Sequence, residues 1–345
     1  MSLFLRRMLT STLLVLAAAC TATPTPNLTP APPTPNIIVS TPTASGVIDA
    51  TPTSEPSATP ESTRTVGVVG TDEAWLNTVR RITGNLALPL NEGAEASALV
   101  AQGAQALILD EAASPQAAEL ARTNPNVFII AQGTASGEVP ANLLVLGGPA
   151  SREDQAGFLA GVLAAHATEL ERVAVVSDPS TSAGKKYRNG FTAGVRYVCP
   201  KCQMDLVDLP ATTDAPTVSA TVLRFVALGA DVFWVAPGGY APAALEALAT
   251  KNVSVIAEAG ENFLANVALD YGSALATALQ NWQAGQTPSG QQPFSVASGG
   301  ITITVQNNQR GLLSPLDLTD VEAARQKLAT GALETGVDPL TGEEK

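Results

Sequence analysis

From Arg64 onward the chain alternates short apolar runs with longer amphipathic segments. Val66 to Val69, closed by Gly70, has the continuous hydrophobicity of a strand buried on both faces, and Glu73 to Ile82 behind it has helical spacing. Leu86 to Leu88 predicts a short strand or loop. Ala94 to Gln102 predicts a helix, Ala106 to Leu109 a strand, and Ser114 to Arg122 a helix with Pro115 at its first position. Strands follow at 127–131 and 143–146. The theme then repeats. Helices are predicted over Glu153–Ala167, Gly184–Val195, Pro216–Leu228 and Pro242–Thr250, and strands over 173–177, 205–209, 232–236 and 253–257. Ala265 to Gly285 is one long apolar run that predicts a helix. Two last strands are expected at 294–297 and 301–305, and a final helix at 321–330. Strand–helix alternation of this kind predicts an α/β protein with parallel sheets and right-handed crossovers.

The segment before Arg64 has a different pattern. Arg6 and Arg7 precede an apolar run from Met8 to Ala19 that is short for a membrane span but right for a signal sequence. Ala17-Ala18-Ala19-Cys20 has the small residues of a lipoprotein cleavage site, so residues 1–19 are expected to be removed and Cys20 lipidated. About half of residues 21–63 are Thr and Pro, which fix or extend the backbone and cannot build a core. In extended form such a linker, 20–63, reaches on the order of 100 Å.

A net charge of −12 leaves no basic stripe for nucleic acid, and an aromatic share of 4% argues against a groove of stacked sugar rings. Cys199-Pro-Lys-Cys202 lies between a helix and a strand. In an exported protein that placement favours a local disulfide; thiol exchange stays open as the alternative. Two cysteines and a single histidine, His166, far upstream make no zinc set. No Gly-x-Ser-x-Gly elbow has a histidine downstream, and no cofactor motif is present. The chain reads as a non-enzyme.

One stretch adds more. QAGFLAGVLAAHA (155–167) leads through a short β-rich run to GFTAGVRYVCP (190–200). This order resembles the basic membrane protein family of bacterial solute-binding lipoproteins, whose best-studied members are purine nucleoside receptors. The resemblance implies the type I periplasmic binding protein fold, two Rossmann-like lobes on a three-segment hinge. It places lobe one at 64–147 and 258–299, lobe two at 148–257 and 300–335, with crossings near Gly147, Glu258 and Gly299-Gly300, and a flexible tail at 336–345. It implies a monomeric, lipid-anchored, extracytoplasmic protein that captures a small polar solute, with nucleosides the class it points to. The partners would be the permease and ATPase of an ABC importer. A ligand-binding sensor or envelope lipoprotein without a transport role is the alternative.

Ligand contacts are expected at strand ends. Asp72 and Trp75 match the Asp and the aromatic of the family's first loop. Gln132 stands where many members carry Asp. Asp178 falls in the loop after the fifth long strand, Gly238, Gly239 and Tyr240 in a glycine turn, and Glu258 where the family has Asp. The departures fall on polar contact positions, which points to a kept frame with an altered ligand.

Overall fold

The computed structural model describes residues 64–71, 73–134, 137–308 and 311–345. The signal sequence, Cys20, the Thr/Pro linker and Asp72 lie outside the described residues.

Twelve strands among these residues form two six-stranded sheets. The first contains β1 (Val66–Val69), β2 (Leu90–Glu92), β3 (Ala106–Leu109), β4 (Phe128–Gln132), β5 (Leu143–Leu146) and β11 (Gly290–Gln292). Their order is β2-β1-β3-β4-β5-β11 and every pairing is parallel. The second contains β6 (Arg172–Ser177), β7 (Gln203–Asp208), β8 (Val232–Val235), β9 (Ser254–Ala257), β10 (Ala265–Leu269) and β12 (Ile301–Val305). It runs β7-β6-β8-β9-β10-β12, parallel except that β10 and β12 are antiparallel. Both are doubly wound, and the strand order reverses between β1 and β3 in one sheet and between β6 and β8 in the other. The helices are α1 (Glu73–Asn85), α2 (Ala96–Ala101), α3 (Ala117–Thr123), α4 (Glu153–Ala167), α5 (Ser182–Val198), α6 (Ala215–Ala227), α7 (Ala241–Ala249), α8 (Tyr271–Gln283) and α9 (Pro315–Thr330). None is long and apolar enough to cross a membrane.

Helix α4 is buried on almost every side, so it shows no amphipathic stripe. Its partner is α5, and glycines let the two backbones touch. A Cβ on Gly157 would stand 2.3 Å from the Tyr187 carbonyl oxygen, and one on Gly161 2.2 Å from that of Phe191. The reverse holds too: Cβ atoms on Gly190 and Gly194 would meet the carbonyl oxygens of Asp154 and Phe158 at 2.1 and 2.0 Å. Alanine at any of the four overlaps main chain.

Three segments join the lobes. The first runs from Gly147 to Arg152 and the third from Pro293 to Gly300. They are zipped by Gly147 N to Gln292 O (2.9 Å), Arg152 N to Phe294 O (2.7 Å), Phe294 N to Ser151 Oγ (3.1 Å) and Val296 N to Gln155 Oε1 (2.9 Å). Gly147 and Gly148 have φ of 110° and 112°, a region that disfavours any side chain.

Several expectations need correction. Residues 265–269 form a strand of the second sheet, and Asp270 starts the helix only afterwards by accepting from Ser273 N. The apolar run there hides a strand with alternating burial, caught between β9 and β12. The middle crossing therefore falls at Asp270, not near Glu258. No strand forms over 294–297; the last strand of the first sheet is 290–292. The tail is docked rather than loose. Val337 is 1% exposed, Ser182 Oγ donates to Leu340 O (2.6 Å), Asn189 Nδ2 donates to Gly342 O (2.7 Å) and Thr335 Oγ1 donates to buried Asp154.

Candidate functional site

The loops beyond the strand ends are pinned by two buried carboxylates, one at each point of strand-order reversal. Asp110, directly after β3, accepts from Thr71 N (2.7 Å) beyond β1 and from Ala113 N (2.9 Å). Gly70 is required beside it, because a Cβ there would stand 2.8 Å from its Oδ2. Asp178, directly after β6, accepts from Ala211 N (2.9 Å) beyond β7, and from the amide (3.0 Å) and hydroxyl (2.5 Å) of Ser180. The Ser180 hydroxyl and these amides hold the Asp178 carboxyl below the usual range.

A hollow of about 380 Å³ lies over the ends of β3 and β4, lined by Glu111, Ser114, Pro115, Gln132, Gly133 and Thr134. The residues beside it connect closely. A Cβ on Gly133 would be 3.8 Å from Glu111 Cγ, and one on Gly147 would be 3.1 Å from Gly133 O and 3.4 Å from the Tyr271 hydroxyl. Tyr271, first residue of α8, packs edge-on against Phe294 of the third crossing segment (4.6 Å) and against Trp75 (6.4 Å). Burial raises its phenol pKa, and the carboxylates of Glu153, Glu258 and Glu111 raise it further. Across the crossing segments, Tyr187 of α5 is raised well above the phenol range by burial, then by Glu258 and Glu153. A larger hollow of about 500 Å³, around Phe128, Asn142 and Trp282, lies at the opposite pole, among the amino-terminal ends of the strands, where doubly wound folds do not bind ligands.

Beneath this face Lys186 is 2% exposed. Its ammonium donates to Pro149 O (2.8 Å), Ser151 O (2.9 Å) and Glu153 Oε2 (3.0 Å), so all three protons are used on the first crossing segment and its carboxylate. Burial pushes the Glu153 carboxyl up despite that ammonium.

The structure sorts the residues expected from the sequence. Gln132 and Glu258 stand at strand ends on the face just described. Trp75 is 5% exposed and belongs to the core between sheet and helices. Tyr240 is 1% exposed, lies under Gly238 and donates to Pro237 O (3.2 Å), so its ring supports the glycine turn. Asp178 is occupied by loop amides. Tyr271, Tyr187 and Lys186 are additions. Tyr271 directly follows a strand, a signal hidden by reading 265–285 as one helix. Cys199 and Cys202 form a disulfide with Cα atoms 5.4 Å apart, at the amino-terminal end of β7 and away from the strand ends that bear these residues. No group of three or more potential metal ligands occurs among the described residues.

Two doubly wound lobes, three crossing segments and carboxyl-terminal strand ends turned to one face define a two-lobed solute-binding protein. Solved structures agree on the fold. The chain is similar to an ABC transporter solute-binding protein from Conexibacter woesei, with TM-score 0.67 and 17% identity over 79% of this chain and 98% of that one. It is similar to a solute-binding protein from Aeropyrum pernix (0.63, 15%, 79% and 92%) and to a transcriptional activator of the comK gene from Bacillus halodurans (0.64, 17%, 78% and 99%). No curated protein matches. The family model for PnrA-like ABC transporter substrate-binding proteins matches residues 110–284, half of the chain, and the protein belongs to that family. Its members work outside the cytoplasm with a permease and an ATPase.

Proposed function

We propose that the protein captures a small polar solute between its lobes and hands it to the permease and ATPase of an ABC importer, as a monomer held to the membrane by lipid on Cys20. The observation that carries this reading is the meeting of both lobes' strand ends at three crossing segments, with Gly147 and Gly148 in a backbone region suited to a pivot. Hinge closure about such segments is the known working motion of periplasmic binding proteins. Gln132, Glu258 and the main chain of Gly238 and Gly239 are the contacts we assign. Asp178 and Tyr240 hold the loops in place.

Thermal unfolding in the presence of nucleosides, bases, sugars and amino acids tests the reading. A solute at 100 times its Kd adds about 2.7 kcal/mol to stability, and small-angle scattering should show a smaller radius when it binds. A panel that leaves both the midpoint and the radius unchanged would retire the capture role.

A further inference from the structure

We infer that the end of the chain, Thr335–Lys345, is a positioning element of the hinge. It braces the first turns of α4 and α5, so that the first crossing segment pivots at Gly147 and Gly148. The brace is a property of the free protein; its effect on solute affinity rests on the capture reading.

The first turn of α4 is where two crossing segments are made fast. Arg152, its cap, donates from its amide to Phe294 O (2.7 Å), and Gln155 Oε1 accepts from Val296 N (2.9 Å). Between them Glu153 takes one proton of Lys186, whose other two go to Pro149 O and Ser151 O. Asp154 completes the turn. It is 0% exposed and accepts from Arg152 Nε (2.8 Å) and Nη2 (2.7 Å), and a third donor is the Thr335 hydroxyl. A buried carboxylate is held only by the donors around it, so this hydroxyl helps to fix Asp154 and, through it, Arg152.

The other end of the segment lies on α5. Ser182 Oγ donates to Leu340 O (2.6 Å), Lys185 pairs with Glu343, and Asn189 Nδ2 donates to Gly342 O (2.7 Å), all from one stripe of the helix. A Cβ on Gly342 would stand 2.7 Å from Lys185 Cβ and 2.8 Å from Lys186 N. The segment therefore rests on the main chain of the residue that holds Pro149 and Ser151. It is also tied to itself: Val337 bridges Glu344, Lys345 N donates to Gly336 O (2.8 Å) and Asp338 N donates to Glu343 O (2.8 Å). A cover for apolar surface would need Val337 and little more. This one meets both anchors of the first crossing segment, the Asp154–Arg152 pair and Lys186. Held so, residues 149–152 move with lobe two, and rotation falls on Gly147 and Gly148. Loosening the brace adds backbone freedom that closure must remove, which weakens binding.

Amide hydrogen exchange of the full chain, without solute, tests the brace. Thr335→Val keeps the side-chain shape and removes the donor, and Gly342→Ala unseats the segment from the α5 side. In each variant the amides of 147–152 and 293–300 should exchange about tenfold faster, while those of β8 keep the parent rate. Exchange that quickens only within 335–345 and α5, or evenly through lobe two, overturns the brace. With a solute already shown to bind, both variants should lower affinity about three- to tenfold through faster release. Unchanged affinity beside faster exchange overturns the link to capture. A solute panel with no binder retires capture, and the exchange rates still decide the brace.

Discussion

Replacing Gly161 by alanine probes the contact that sets α4 against α5. The new Cβ would lie 2.2 Å from the carbonyl oxygen of Phe191 and 2.9 Å from the amide nitrogen of Val195. Both obstacles are main chain, so no rotamer change relieves them, and the helices must part by roughly 1 Å to reach ordinary contact. Overpacking of this kind costs about 1–3 kcal/mol, and the backbone clash argues for the upper end. Alanine recovers about 1 kcal/mol through helix propensity. The net loss should be about 2 kcal/mol, or a midpoint fall of about 3–4 °C for a folded part of this size. Gly84 in α1 supplies the control, because a Cβ there meets nothing within 4 Å. Gly84→Ala should raise the midpoint, by about 0.5–1 kcal/mol of stability. Differential scanning calorimetry of both variants decides the matter. A Gly161→Ala protein as stable as the parent would show that the helices do not meet backbone to backbone.

Reducing the Cys199–Cys202 bridge, or replacing both cysteines by serine, should cost about 2 kcal/mol from the small loop it closes, read as a lower midpoint in dithiothreitol, while solute affinity stays unchanged. Lys186→Met strands a buried carboxylate and should cost about 3–5 kcal/mol at neutral pH. Because burial already raises Glu153, that loss should shrink as the pH falls and the carboxyl takes up its proton; a pH-independent loss would refute the pairing. Asp178 is depressed, so its contribution is present above the unfolded carboxyl value near about 3.9 and is lost as the pH drops through the folded value. Asp178→Asn should therefore flatten the acid limb of the stability curve and cost about 1–3 kcal/mol at pH 7. Glu322, pulled down to about 2 by Arg325 and Gln326, adds little to that limb, since its pair stands in solvent.

Much of the frame is legible in the chain. Strands buried on both faces, such as Val66–Val69 and Val232–Val235, announce themselves as unbroken apolar runs, and the Gly157 and Gly161 spacing marks the helix that meets α5. The Cys199-x-x-Cys202 spacing suits a local bridge in an exported chain. What fails has physical causes. Ala265–Leu269 is short, apolar and continuous with a helix, so only its neighbours β9 and β12 decide its state. Trp75 and Tyr240 sit at strand ends by sequence, but which way a ring turns depends on the elements packed around it, and both turn inward. Polar and glycine content at 336–345 resembles a loose end, yet Val337 and Thr335 find a groove made by α4 and α5.

That docked end bears on how the protein is cut and labelled. A truncation placed at residue 335 to discard a supposedly floppy remnant would strip the Asp154 carboxylate of its hydroxyl donor's supporting turn, unseat Val337 and bare the first turns of α5. Tags appended after Lys345 begin from an anchored segment rather than a free leash. A reporter dye fixed there would follow the lobe that carries α4 and α5, making the chain's end a convenient handle for watching one jaw move against the other.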